Sequence, residues 1–312
     1  MGPRPVGYGD VMKHPVIQNE DGKPARRLPP WLKRPLPAGG TMAATRRIVA
    51  DSGVATVCQE ARCPNQTECW SHKTATFMIL GDRCTRRCHF CAVTTARPRP
   101  PEPDEPVRLA EAARKLGLRH VVVTAVARDD LPDEGAGQFA ACVHAIHAAL
   151  PGATVEVLPA DLHARPELID TIGQAGPEIF NHNLETVERL TPIVRPQAQY
   201  NRSLDVLRIV RERYPQIPTK SGLMVGLGET EEELDCALAD LRAVGCRIIT
   251  IGQYLQPSPQ HAPVARFYRP AEFDAIARRA ERMGFDGVAS GPFVRSSYHA
   301  AEVFAKIRGR AT

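Results

Sequence analysis

The sequence contains no run of about eighteen apolar residues, so we expect no membrane-spanning helix. It shows no apolar signal segment, and its 9 cysteines are odd in number. Both features argue against a secreted protein with a disulfide framework, so we expect a cytoplasmic location. The excess of positive charge is small, with 40 basic and 35 acidic residues, far below that of a nucleic-acid-binding surface. We therefore expect neither a membrane nor a nucleic acid as partner, while the excess suits an acidic protein.

Six of the cysteines lie close together in residues 58–91. Cys84, Cys88 and Cys91 follow the apolar run 75–80 with the spacing C-x3-C-x2-C. No second C-x2-C pair and no H-x3-H pair accompanies them, which disfavours a closed zinc site. A [4Fe–4S] cluster held by only three thiolates keeps one iron free for another ligand. The spacing therefore favours an iron–sulfur cluster with one open position.

A second triplet precedes the first, with Cys58, Cys63 and Cys69 in the spacing C-x4-C-x5-C. Two adjacent triplets indicate two metal centres. Structural zinc and disulfides stay open as weaker alternatives. Cys142, Cys236 and Cys246 fall in predicted helices or at a strand start, where a small apolar role is the default, so we expect them to be inert.

The rest of the chain alternates between short β-branched runs and amphipathic segments, which predicts parallel strands covered by helices. We expect strands at 75–80, 119–125, 153–158, 178–183, 219–225 and 247–252, and helices at 105–117, 136–149, 165–174, 201–214, 230–244 and 270–283. Six such units predict an α/β fold, a partial (β/α)6 TIM-like barrel. We place an extended, poorly ordered arm at 1–40, a segment for the upstream cysteines at 41–73, the barrel at 74–285 and a C-terminal segment at 286–312, both extensions lying over the barrel mouth.

The C-x3-C-x2-C loop after a first strand resembles the radical S-adenosylmethionine (SAM) superfamily, and its pairing with C-x4-C-x5-C is similar to the lipoyl synthase family. Residues 126–131 (VARDDL), 226–230 (GLGET) and 295–298 (RSSY) support the same resemblance, which extends from about Pro29 to Ala300. It implies a radical SAM sulfurtransferase that inserts two sulfur atoms, at C6 and C8 of an octanoyl chain on a carrier lysine.

The resemblance also implies the cofactors and their ligands: two [4Fe–4S] clusters and SAM. Cys84, Cys88 and Cys91 would hold the SAM-binding cluster. A serine of the RSSY motif would complete the ligand set of the upstream triplet. We expect this serine to be Ser297, with Ser296 as the alternative. Polar residues after the fourth strand, Asn181, Asn183 and Glu185, are expected to bind SAM. At the end of the second strand, residues 128–130 are expected either to contact SAM or substrate, or to form a helix cap.

The implied partners are octanoylated lipoyl carrier proteins, namely the lipoyl domains of 2-oxoacid dehydrogenases and the glycine cleavage H protein. A low-potential electron donor and an iron–sulfur carrier that rebuilds the sulfur-donating cluster are also implied. Three other functions compete: a biotin synthase-like enzyme, whose second cluster has dispersed ligands; an RNA methylthiotransferase, which needs a nucleic-acid module; and a non-catalytic metal scaffold.

Overall fold

The computed structural model describes residues 28–33, 41–72, 75–297 and residue 300. Of the expected N-terminal arm it describes only 28–33, where Pro30–Leu32 forms a single 3-10 turn. Leu32 is buried, and the Trp31 Nε1–H donates to the Tyr268 carbonyl oxygen at 3.1 Å. This part of the arm therefore docks on the main body, while the rest of the arm lies outside the described residues.

An eight-stranded sheet forms the centre of the molecule, in the order β1-β2-β5-β6-β7-β8-β9-β10. Every neighbouring pair from β2 to β10 is parallel, and β1 alone is antiparallel to its neighbour. The strands are β1 (Ala55–Thr56), β2 (Thr76–Ile79), β5 (His120–Ala125), β6 (Thr154–Leu158), β7 (Ile179–Asn181), β8 (Thr219–Val225), β9 (Ile248–Gln253) and β10 (Gly287–Gly291), with β3 (Arg83–Cys84) and β4 (Thr94–Thr95) in a separate pair.

Helices follow the strands as the alternation predicts. They are α1 (Thr41–Ser52), α2 (Val57–Glu60), α3 (Gln66–Ser71), α4 (Glu105–Leu116), α5 (Ala136–Ala149), α6 (Pro166–Gln174), α7 (Thr191–Val194), α8 (Tyr200–Arg213), α9 (Glu231–Ala243) and α10 (Pro270–Arg282). Their apolar faces pack on the sheet in two clusters, one containing Trp70, Phe77 and Phe139 and the other Leu238 and Ile249. A parallel sheet covered by helices confirms the predicted partial barrel.

The structure also has a parallel strand that the sequence pattern does not predict. β10 pairs with β9 and lies in the segment assigned to the C-terminal extension. Its sequence, GVASG, holds small residues in place of the β-branched run by which the other strands are recognised. β7 ends at Asn181 and not at the predicted 183, because the chain leaves the strand ladder there and returns only as the isolated bridge between Glu185 and Leu223.

Candidate metal centres at the barrel mouth

The loop with Cys84, Cys88 and Cys91 begins just beyond the carboxyl end of β2. Pairing of β3 with β4 closes the base of this loop. The Cys84 thiol accepts hydrogen bonds from the backbone N–H groups of Arg86 at 3.4 Å and Ala127 at 3.3 Å, which tie it to the neighbouring strand end. All nine cysteines are free thiols, so the disulfide alternative is wrong.

The three thiols of the loop lie near enough to influence one another's ionisation. Burial raises the pKa of Cys88 to about 11; the Arg195 guanidinium opposes this shift, and Glu185 and Cys84 add to it. Burial also raises the pKa of Cys91 to about 12, and the Cys88 and Cys84 thiols contribute to the rise. Converging thiols that ionise with difficulty need a positive centre among them, and a metal cluster provides one.

The space between these thiols suits a cluster better than a single ion. A cavity of about 370 Å³ is lined by Cys84, Cys88 and Cys91. Among the described residues, the one group of three ligand atoms from His, Cys, Asp or Glu that lies within 4.8 Å is Asp129, Glu134 and His163. At least one pair of the three sulfur atoms is therefore more than 4.8 Å apart, wider than the roughly 3.8 Å that tetrahedral zinc–thiolate geometry requires. The donor set fits a [4Fe–4S] cluster.

Arg86 fastens this loop to two strand ends. Its guanidinium binds Asp129 after β5 at 2.6 Å and Asp161 after β6 at 2.7 Å. Arg86 is 7% exposed and Asp161 is fully buried, so removal of either charge would leave the other buried and less well compensated, which destabilises the fold. Burial alone would raise the pKa of Asp161, but the hydrogen bond and charge of Arg86 outweigh it and hold that pKa at about 2.

The backbone after Asp161 is strained. Leu162, His163 and Ala164 have φ angles of 45°, 46° and 51°, a left-handed turn that costs roughly 1–2 kcal/mol per residue. The Asp161 carboxylate accepts the His163 backbone N–H, and the His163 ring contacts Glu134 at 2.7 Å. The turn therefore directs the Asp161 carboxylate towards Arg86, and strain of this kind is typical of functional sites.

The upstream triplet lies beside the start of β2. Cys58 is in α2 and Cys69 in α3, and the Cys63 backbone N–H donates to the Cys58 carbonyl oxygen at 3.2 Å. Burial raises the pKa of the Cys58 thiol, with a backbone hydrogen bond from Thr76 opposing the shift and Cys63 adding to it. Cys58 and Cys63 therefore face each other next to Thr76, in the arrangement expected of two ligands of one centre.

The two serines of the RSSY motif point to different parts of the mouth. The Ser297 Oγ accepts a hydrogen bond from the Thr76 Oγ1 at 2.7 Å, beside Cys58. The Ser296 Oγ accepts one from the Asn183 Nδ2 at 2.6 Å, on the opposite side of the barrel. Of the pair, only Ser297 is linked through one residue to the upstream cysteines. Tyr298 lies outside the described residues.

Asn181, Asn183 and Glu185 all lie after or at the end of β7, but at different depths. The Asn181 Nδ2 donates to the Glu156 Oε1 at 2.8 Å, deep in the barrel, whereas the Asn183 Nδ2 donates to Glu185 at 3.1 Å near the mouth. Burial raises the pKa of Glu185. The amide oxygens of Asn181 and Asn183 are buried acceptors with no partner among the described groups. Bare acceptors of this kind fit a ligand rich in donors, such as a ribose or an ammonium group.

Comparison with known proteins decides the family. The model of the Radical SAM superfamily matches residues 78–241. The chain is 50% identical over 299 residues to the lipoyl synthase of Rubrobacter xylanophilus, covering 92% of this chain and 93% of the relative. It is 51% identical over 285 residues to the lipoyl synthase of Methylococcus capsulatus, covering 91% of this chain and 88% of the relative.

The chain belongs to the lipoyl synthase family. Solved structures agree on the fold: the hydrogenase maturase HydG aligns with a TM-score of 0.53 at 15% identity, over 80% of this chain and 63% of HydG. SuiB of Streptococcus suis bound to SAM aligns with a TM-score of 0.50 at 10% identity, over 70% of this chain and 50% of SuiB.

As a lipoyl synthase, the protein is a radical SAM enzyme that uses [4Fe–4S] clusters and SAM to insert sulfur into a carrier-bound octanoyl chain. The biotin synthase-like, RNA-modifying and scaffold alternatives lose their support. In the part of the chain that the structure describes, no helix has the length and apolar character needed to cross a bilayer.

Several residues of this lipoyl synthase site were not found by sequence reasoning. Thr76 and Asn65 lie next to the cysteines, and the Asn65 Nδ2 binds the Phe293 carbonyl oxygen at 2.7 Å, yet no local pattern marks either residue. Arg86 lies within the cysteine loop itself, so its position was a usable signal. Of the two expectations for residues 128–130, the helix cap is wrong, because the next helix has Gly135 as its N-cap. Asp129 binds Arg86, Arg128 pairs with Asp130 at 2.8 Å, and contact with SAM or substrate stays a prediction.

Proposed function

We propose that the two cysteine triplets divide the reaction of this lipoyl synthase between them. Cys84, Cys88 and Cys91 hold the cluster that activates SAM. Cys58, Cys63 and Cys69, with Ser297 as the fourth ligand, hold the cluster that gives up sulfur. An oxygen donor binds iron less firmly than a thiolate. The iron held by Ser297 is therefore the one that would leave its protein ligand most easily.

When bound, the first cluster and SAM supply a radical that removes hydrogen from an unactivated carbon, and the second cluster supplies sulfur. Each of the two C–S bonds replaces one C–H bond and consumes one SAM and one electron. Arg86 keeps the cysteine loop over the strand ends, and Asn183 and Glu185 orient SAM. The segment containing Ser296 and Ser297 covers the barrel interior and excludes water from the reacting carbon.

The contact pattern of Thr76 carries this assignment. The Thr76 backbone N–H lies near enough to the Cys58 thiol to oppose the rise in the pKa of that thiol caused by burial, and the Thr76 hydroxyl donates to the Ser297 Oγ. The chain separation between Thr76 and Ser297 is 221 residues, so their proximity is a property of the fold. A serine held beside a cysteine ligand, while its neighbour Ser296 contacts Asn183, supports Ser297 as the fourth ligand.

The carrier substrates we propose are the lipoyl domains of 2-oxoacid dehydrogenases and the glycine cleavage H protein, each with an octanoyl group on a lysine. A low-potential protein donates the electrons, and an iron–sulfur carrier rebuilds the consumed cluster. We place the reaction in the cytoplasm, where free thiols persist.

The assignment is tested with three cysteine variants reconstituted anaerobically. Cys88→Ala should lose about four irons per chain and all 5′-deoxyadenosine formation. Cys63→Ala should also lose about four irons but keep SAM cleavage, and should form no thiolated octanoyl-lysyl peptide. Cys236→Ala, an exposed residue of α9, is the control and should match the unsubstituted enzyme. Equal loss of SAM cleavage in the Cys63 and Cys88 variants would contradict the division of roles.

A further inference from the structure

The small net charge conceals a strong asymmetry along the chain. Residues 1–100 contain 16 lysines and arginines against 7 acidic residues, whereas residues 101–300 contain 21 basic against 27 acidic residues. The upstream cysteine triplet and the cysteine loop thus lie in the basic first third of the chain. Such a field attracts an acidic partner to one face.

Five exposed arginines represent this region in the structure, and we call them the arginine face: Arg46, Arg47, Arg62, Arg97 and Arg99. Arg46 and Arg47 are in α1, Arg62 precedes Cys63, and the other two follow the cysteine loop. Their side chains have no described carboxylate oxygen within 4.0 Å, in contrast to the arginines at 189, 213 and 279, which are paired. The charge of Arg97 acts on the Asp130 carboxylate, whereas the other four charges are available to a partner at little cost.

Arg99 of the arginine face lines an opening of about 320 Å³, which Gln59 and Glu60 of α2 also line. The opening is lined by the end of α1 at Val49 and Ala50, by Glu60 between the cysteines, by Leu80 after β2, and by Arg99. Arg46 lies one helical turn before Val49 and Ala50, so it shares their side of α1.

Four acidic residues line the opening, Glu60, Asp82, Glu102 and Glu105, and Asp82 lies 3.9 Å from Arg83. Glu102 pairs with Arg108, and Glu105 accepts the Leu80 backbone N–H at 3.0 Å. The rim therefore presents arginine charge, while much of the carboxylate charge inside is engaged with the protein itself.

We propose that the arginine face is the docking surface for an acidic carrier domain that presents the octanoyl-lysine. This inference rests on the proposed function. A carrier seated here lies against Gln59 and Glu60 of α2, the helix that also carries Cys58. A protein electron donor has no need of an opening, since it delivers only an electron. The observations therefore favour the carrier.

Two double charge reversals test the arginine face: Arg46→Glu with Arg47→Glu, and Arg97→Glu with Arg99→Glu. The matched control is Arg278→Glu with Arg282→Glu, both exposed in α10. Each enzyme is assayed with an octanoylated lipoyl domain and with a short octanoyl-lysyl peptide, using dithionite so that no protein donor is present. For the domain, KM should rise about tenfold with kcat unchanged, and added salt should shrink the difference. For the peptide, KM should stay constant.

The outcomes separate docking from the other possibilities. An unchanged KM for the lipoyl domain, or an equal rise for domain and peptide, overturns the proposal. A defect that occurs only when a protein donor replaces dithionite assigns the surface to that donor and also overturns it. Failure of the unsubstituted enzyme to thiolate the peptide would refute the proposed function, independently of docking.

Discussion

Gly252 allows the C-terminal segment to enter the barrel mouth, so Gly252→Ala is the sharpest test of the role of that segment. A Cβ atom at this position of β9 would lie 2.0 Å from the Val294 carbonyl oxygen and 3.0 Å from its carbon. Backbone atoms cannot yield as a flexible side chain does. The segment must therefore move by about 1 Å or more, at an overpacking cost of about 2 kcal/mol.

That cost is comparable with the contacts that hold the segment. Three hydrogen bonds of 2.6–2.7 Å attach it: Asn65 to Phe293, Asn183 to Ser296, and Thr76 to Ser297. At about 1 kcal/mol each they contribute about 3 kcal/mol. A loss of about 2 kcal/mol lowers the ratio of docked to undocked segment by roughly 30-fold. About 1 kcal/mol of docking remains, so the segment stays docked by roughly five to one, but it is displaced by about 1 Å, which is enough to misplace Ser297 beside the upstream cysteines.

The assay measures 5′-deoxyadenosine and thiolated peptide in the same sample, with iron per chain. In Gly252→Ala, thiolation should fall at least about tenfold while SAM cleavage keeps more than about half its rate. Gly137→Ala is the control, because its Cβ would meet only the flexible Asp133 carboxylate at 3.1 Å. Full thiolation by Gly252→Ala, or parallel loss of both products, would refute the reasoning.

Three further variants test separate parts of the site. Ser297→Ala should abolish thiolation and alter the electron paramagnetic resonance signal of the upstream cluster. Ser296→Ala should mainly raise the KM for SAM. The reverse pattern would make Ser296 the ligand. Arg86→Gln leaves the buried Asp161 carboxylate with only Arg202, at 3.4 Å, as its cation. The change should lower the free energy of unfolding by about 3 kcal/mol in urea titration, with loss of iron from the first cluster, and an unchanged midpoint would contradict this. Lys220→Met leaves Glu156 buried without its partner at 2.9 Å and should cost about 3–5 kcal/mol at pH 7. Burial would raise the Glu156 pKa, but the charge of Lys220, helped by His120, outweighs burial and holds that pKa at about 2. This stabilisation is therefore present above about pH 4.5 and is lost as the pH falls towards 2, so the gap between variant and parent, measured on the apoprotein, should narrow as the pH falls from about 4.5 to about 3.

The sequence alone determined the features that depend on near neighbours. A β-branched run followed by an amphipathic segment identifies a strand and its helix, because side-chain periodicity is a local property. The spacing of Cys84, Cys88 and Cys91 identified the cluster loop for the same reason. β10 was missed because its small residues lack that signal, and its pairing with β9 is decided by the barrel.

The tertiary structure decided which distant residues meet. Nothing local distinguishes Ser297 from Ser296, and only the path of the chain past Gly252 brings one to Thr76 and the other to Asn183. The strained turn at Leu162 is likewise supported by a distant contact, the ion pair between Asp161 and Arg86. Such contacts join residues tens to hundreds of positions apart, and packing of the whole barrel fixes them.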